Sequence, residues 1–196
     1  WWPHILDNLD KTTGVHLINF LSKLLMTIGL CSLIAFFWLS PYLVGFFTSP
    51  LYHKSWTVAS LLGFASFFNS LFLIASIGIW KVKKTYLNVY LLTISFILGC
   101  FLNIVFIPKF GINGAAFATL ITCIFWIYIT YHISEKFYKT NLPLKNFLLQ
   151  ILVCTFYLTW IINWQDLLVS FLIAPFCIIL IFLCTYSFKD LFKKLK

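Results

Sequence analysis

The stretch YLNVYLLTISFILGCFLNIVFIPKFGINGAAFATLITCIFWIYITYHI, residues 86–133, decides the fold. Its one formal charge, Lys109, lies in its middle. On either side runs an apolar segment of about the 20 residues that a membrane-crossing helix needs. The first, Tyr86–Ile107, is expected to stop at Pro108, which lacks the N–H that a helix interior uses. The second, Ile112–Ile133, begins just after Gly111. Two such helices joined by so short a turn have no polar face to give water. Lipid as the outer solvent removes the need for one, because a helix satisfies its own backbone.

The same pattern repeats outward along the chain. Leu24–Phe47 comes first, and it extends back to about Leu17 if Lys23 snorkels to the interface. Pro41 is expected to kink or thin its far end. Val58–Trp80 follows, and Phe147–Trp164 and Leu167–Phe188 lie beyond the quoted pair. Composition agrees: 62% of residues are hydrophobic and 10% are charged. A globular domain carries about 25% charged residues, so this chain could not build a water-facing surface. The expected fold class is all-α, a polytopic membrane bundle of about six transmembrane helices.

Charge sets an orientation. All 14 basic residues are Lys. Twelve lie on one predicted side: Lys11 and Lys23, then Lys81, Lys83 and Lys84, then Lys136, Lys139 and Lys145, and finally Lys189, Lys193, Lys194 and Lys196. Only Lys54 and Lys109 lie on the other. Basic loops mark the cytoplasmic side, so both ends are expected to be cytoplasmic and the spans even in number. The same lysines draw anionic lipid heads. The absence of Arg argues against nucleic acid as a partner, because base and phosphate recognition favours the Arg fork. Tyr42, Tyr52, Trp56, Trp80, Tyr86, Trp160 and Trp164 cluster near the span ends, as an interfacial aromatic belt does.

No constellation for catalysis is present. The five acids are Asp7, Asp10, Glu135, Asp166 and Asp190, all outside the apolar runs. His4, His16, His53 and His132 flank or end spans. Cys31, Cys100, Cys123, Cys154, Cys177 and Cys184 sit singly in apolar stretches, without metal spacing. The expectation is no enzyme, no metal and no cofactor.

Uncharged polar residues inside the runs are patterned instead. Asn88, Ser95, Gly99 and Asn103 share one helical face. Ala59, Gly63, Ser66 and Ser70 form a second stripe with Asn69 beside it, and Gly114, Ala118 and Thr122 repeat every four residues. Two readings compete for such stripes: close helix packing through small residues, and the wall of a polar cavity. Asn69, Asn88, Ser95 and Asn103 are the candidate cavity-lining residues, since amides are costly in lipid. Lys54 and Lys109 are candidate anion contacts at the outer mouth, against the alternative of solvated loop charges.

The densest motif is Asn103-Ile-Val-Phe-Ile-Pro108-Lys-Phe-Gly111-Ile-Asn-Gly114-Ala115-Ala116-Phe-Ala118-Thr119. It resembles the N-x-x-x-x-P-x-x-G-x-x-G-A-A-x-A-T signature of polysaccharide flippases, the Wzx-type lipid-linked oligosaccharide transporters of the MOP (MATE-like) superfamily. Pro50-Leu-Tyr52 ahead of the Phe-rich Phe64, Phe67 and Phe68 is similar to a second region of that family. The resemblance implies a MATE-like half, with the motif between the eleventh and twelfth of fourteen helices and this chain covering the ninth to the last. Residues 1–23 are then a cytoplasmic or interfacial lead-in, and 24–134 a four-helix part of the C-terminal bundle. A cytoplasmic loop (135–145), two additional C-terminal helices (146–188) and a basic cytoplasmic tail (189–196) complete the chain. It starts at Trp1 with its one Met at Met26, and is expected to be the C-terminal part of a longer protein.

The resemblance further implies a function: flipping an undecaprenyl-diphosphate-linked repeat unit of O-antigen, capsule or exopolysaccharide across the bacterial inner membrane by alternating access. The implied partners are the lipid-linked oligosaccharide, the bilayer, the N-terminal half of the same protein and the polysaccharide polymerase machinery. Two alternatives stay open: another MATE-like exporter or lipid II flippase, and a membrane glycan polymerase or ligase.

Overall fold

The computed structural model describes residues 12–140, 144–164 and 167–185. Their elements are all helical: α1 (Thr12–Phe47), a 3-10 turn (Pro50–Ser55), α2 (Trp56–Ser70), α3 (Phe72–Ala75), α4 (Ile77–Lys81), α5 (Tyr86–Phe137), α6 (Leu144–Trp164) and α7 (Leu167–Thr185). Among the described residues there is no strand. Among the described residues three stretches are long and apolar enough to cross a membrane: Ile18–Phe47, Pro50–Lys81 and Tyr86–Phe137. Shorter apolar helices cover Asn146–Ile162 and Ile173–Phe182. The all-α expectation therefore holds. Asp166, the basic tail and the start of the lead-in lie outside the described residues.

The chain divides into two compact units. The first comprises Trp1–Phe20 and Leu61–Asn141. Its centre is α5, whose 52 residues would measure about 78 Å if straight. It is not straight. Gly111 has φ 59° and ψ −136°, non-helical values that reverse the chain. A Cβ placed on Gly99 would lie 3.2 Å from Thr122 Oγ1, although 23 helical residues would separate them by about 35 Å. α5 is thus a hairpin of two antiparallel legs. Pro108 lies inside the helical stretch instead of ending it, contrary to expectation. A proline removes one backbone bond, but its ring fixes φ near the helical value of about −65°, so it does not by itself reverse the chain. Reversal requires positive φ, and glycine adopts it without a Cβ clash.

The run predicted as Val58–Trp80 is helical but interrupted twice. Leu71 and Ser76 separate α2, α3 and α4. At these joints the bonding tightens to three-residue spacing: Leu71 N–H donates to Phe68 O at 3.0 Å, and Ile79 N–H to Ser76 O at 3.0 Å. Gly78 N–H donates across to Ser134 Oγ on the second leg of α5 at 2.7 Å. Phe72 stacks on Trp126 of the same leg, with ring centroids 4.6 Å apart. Contacts at 72–126 and 78–134 advance together, so α3 and α4 run parallel to that leg.

The second unit comprises Leu21–Ser60 and Leu142–Lys196. Within it Leu30, Ile34, Phe37, Cys154, Tyr157 and Ile181 are fully buried. Gln150 Nε2 donates to Ile181 O at 3.3 Å, linking α6 to α7. The hydroxyls of Ser40 and Ser60, both buried, lie 2.9 Å apart and join α1 to the start of α2. Hydroxyl pairs of this kind join helices where water is absent. Pro41 lies inside α1, which runs on to Phe47.

Candidate functional site

The motif residues form the closed end of the α5 hairpin. Pro108, Lys109, Phe110 and Gly111 are exposed at its tip. The second leg then starts against the first. A Cβ on Gly114 would strike Phe106 O and lie 2.7 Å from Phe106 C, so only glycine fits. Ala116 and Ala118 are buried and Ala115 is half-buried. Thr119 is exposed, and its hydroxyl donates back to Ala115 O at 2.9 Å. Thr122 bonds Ala118 O at 2.7 Å in the same way. These back-bonds satisfy hydroxyls within one helix and leave the apolar edges for packing.

The four candidate cavity residues all belong to the first unit, in different settings. Asn103 is half-buried, and its Nδ2 donates to Gly99 O at 2.8 Å. Ser95 is buried and donates to Leu91 O at 2.8 Å. Asn69 is exposed near the end of α2. Asn88 is half-buried, yet its Oδ1 is enclosed and has no hydrogen-bond partner. Fifteen residues separate Asn88 from Asn103, about 22 Å along one leg, so the two do not form a single pocket. Lys54 is exposed in the 3-10 turn of the second unit, and Lys109 is exposed at the hairpin tip of the first.

Sequence reading missed a second feature of this unit. Thr122, Trp126, Thr130 and Ser134 recur every four residues on the second leg, one above another. Thr122 meets Gly99, Trp126 stacks on Phe72, and Ser134 receives Gly78 N–H. Thr130 is fully buried, and neither its Oγ1 nor Trp126 Nε1 has a hydrogen-bond partner. The hairpin therefore encloses three polar atoms with unused bonding capacity: Asn88 Oδ1, Trp126 Nε1 and Thr130 Oγ1. Each costs about 1–3 kcal/mol if left unpaired. The spacing of four was the available signal, but it reads as packing until the partners on α3 and α4 are known.

Glu135 is the one acid among the described residues. Its carboxylate accepts from Thr140 N–H at 3.1 and 3.2 Å and from Thr140 Oγ1 at 2.8 Å, which fixes the chain as it leaves α5. Among the described residues no three His, Cys, Asp or Glu side chains are grouped to hold a metal ion. The chemistry available here is hydrogen bonding by neutral groups inside an apolar bundle. No protein-family model, curated protein or solved structure matches the chain.

Proposed function

We propose that the chain is the C-terminal portion of a membrane transporter that flips lipid-linked oligosaccharide across the bacterial inner membrane. The observation that carries this reading is the Asn103–Thr119 pattern, with Pro108, Gly111, Gly114, Ala115, Ala116 and Ala118 at the flippase-like positions. The packing supports it, because the glycines stand where the pattern needs them: Gly111 at the reversal and Gly114 against Phe106. In this reading the bundle has six spans: α1, the broken helix α2–α4, the two legs of α5, α6 and α7. The lysine asymmetry puts both ends in the cytoplasm, and the fold is MATE-like. The substrate is an undecaprenyl-diphosphate-linked sugar unit, moved by alternating access. Asn88, Trp126 and Thr130 offer neutral hydrogen-bonding groups of the kind that sugar hydroxyls use.

Deleting the gene in its native host tests the proposal. Lipid-linked repeat units should accumulate on the cytoplasmic leaflet and surface glycan should fall, with recovery on re-expression of the whole gene. Unchanged glycan together with new sensitivity to cationic drugs would mean a MATE-like exporter. Arrested peptidoglycan synthesis would mean a lipid II flippase. Accumulation on the outer leaflet would mean a polymerase or ligase.

A further inference from the structure

We infer that one end of the first unit is a docking site for the phosphate headgroup of an anionic phospholipid, held by Lys81, Lys83, Lys84, Lys136 and Lys139. The inference rests on the membrane reading of the chain and not on the flippase reading.

Two loops that are distant in sequence build this end. Lys81 Nζ lies 4.3 Å from the centroid of the Tyr138 ring, and Lys84 Nζ lies 5.1 Å from that of Phe137. Such cation–π seats hold the 81–84 turn against the 137–138 segment. About one turn below, Gly78 N–H bonds Ser134 Oγ, so α4 and the second leg of α5 end at the same level. The turn is tight: Lys83 N–H donates to Trp80 O at 3.0 Å and Lys84 N–H to Ile79 O at 3.2 Å. Lys83 adopts φ 57°, a left-handed conformation that non-glycine residues rarely take. Lys83, Lys84, Lys136 and Lys139 are all exposed.

Five ammonium groups are thus gathered at one end of one unit. Glu135 is the acid nearest in sequence; Thr140 holds its carboxylate, which keeps its charge and offsets one of the five, so an excess of positive charge remains. Like charges repel where they lie within a Debye length of about 8–10 Å, and an anion among lysines gathered at one end relieves the repulsion. Tyr86 and Tyr90, at the base of the first leg, are exposed with their rings 6.2 Å apart. Exposed tyrosines mark the headgroup level, so the anion that meets this end is carried on a lipid.

The test places the purified protein in nanodiscs of phosphatidylcholine containing phosphatidylglycerol. Native mass spectrometry then counts the phosphatidylglycerol retained. Lys83→Gln and Lys136→Gln should each weaken retention about fivefold. Lys109→Gln removes the same charge at the opposite end of the hairpin and should weaken it less than twofold. Tyr138→Leu keeps every lysine but removes one ring seat, and should weaken retention about two- to fivefold. A diffuse basic collar gives a different result: Tyr138→Leu equal to wild type, and Lys109→Gln equal to Lys83→Gln. That result overturns the site. Saturable displacement of the lipid by millimolar inorganic phosphate, with the same lysine dependence, would make it a free-phosphate site and overturn the lipid assignment.

Discussion

Replacing Gly78 with Ala should loosen α4 from the second leg of α5. The added methyl would strike the carbonyl oxygen of Ser134 and lie 2.9 Å from the carbonyl carbon and 2.8 Å from Oγ. Two of these three atoms are backbone and cannot rotate away, so the helices must part. Overpacking of this kind costs about 1–3 kcal/mol. Separation also stretches the 2.7 Å bond from Gly78 N–H to Ser134 Oγ. Losing that bond costs about 0.5–1.5 kcal/mol. The expected total is about 2–4 kcal/mol, set against a gain of about 0.5–1 kcal/mol for Ala over Gly in a helix. Gly45→Ala is the internal control, because nothing lies within 4 Å of its Cβ and only the propensity gain remains. Reversible unfolding in mixed micelles, followed by tryptophan fluorescence, reads both variants. If Gly78→Ala is as stable as Gly45→Ala, the close approach of α4 to Ser134 is wrong.

Gly111→Ala meets open space, yet φ 59° with ψ −136° is a backbone state nearly confined to glycine. It should cost about 1–3 kcal/mol by strain alone, seen as a lower unfolding midpoint in the same assay. Trp126→Phe keeps the stack on Phe72 and removes an unpartnered N–H, so stability should stay within about 1 kcal/mol of wild type or rise. Asn88→Ala should leave expression and folding intact while lowering translocation, since its Oδ1 makes no bond that the fold would lose. Loss of folded protein in that variant would place Asn88 in packing.

Hydropathy made most of the fold legible. The apolar runs around Leu24–Phe47, Val58–Trp80, Phe147–Trp164 and, as far as Thr185 where the described residues end, Leu167–Phe188 correspond to helix, because lipid-facing segments need little beyond length and apolarity. The turn of α5 was only half legible. Pro108 and Gly111 were both visible as breakers, but which of them reverses the chain depends on φ, and sequence does not print φ. The breaks at Leu71 and Ser76 had no glycine or proline to announce them. They accompany Gly78 reaching Ser134, 56 residues away, a tertiary bond with no local signature. The candidate site was legible by residue type more than by setting. Asn88 and Asn103 share a helical face, yet Asn103 bonds its own backbone while Asn88 Oδ1 has no partner. The lysine loops were each plain in sequence. That Phe137 and Tyr138 draw two of them together follows only from the fold.

Transport itself is the most direct test of the proposed function. The whole gene product, reconstituted into liposomes, would be given a polyprenyl-diphosphate-linked oligosaccharide on one leaflet. A membrane-impermeant lectin or glycosidase then reports its arrival on the other. The proposed function predicts time-dependent arrival with the wild type and loss of it with Gly114→Leu, whose side chain cannot fit against Phe106. Arrival no faster than in protein-free liposomes, from a correctly folded wild-type sample, would contradict it.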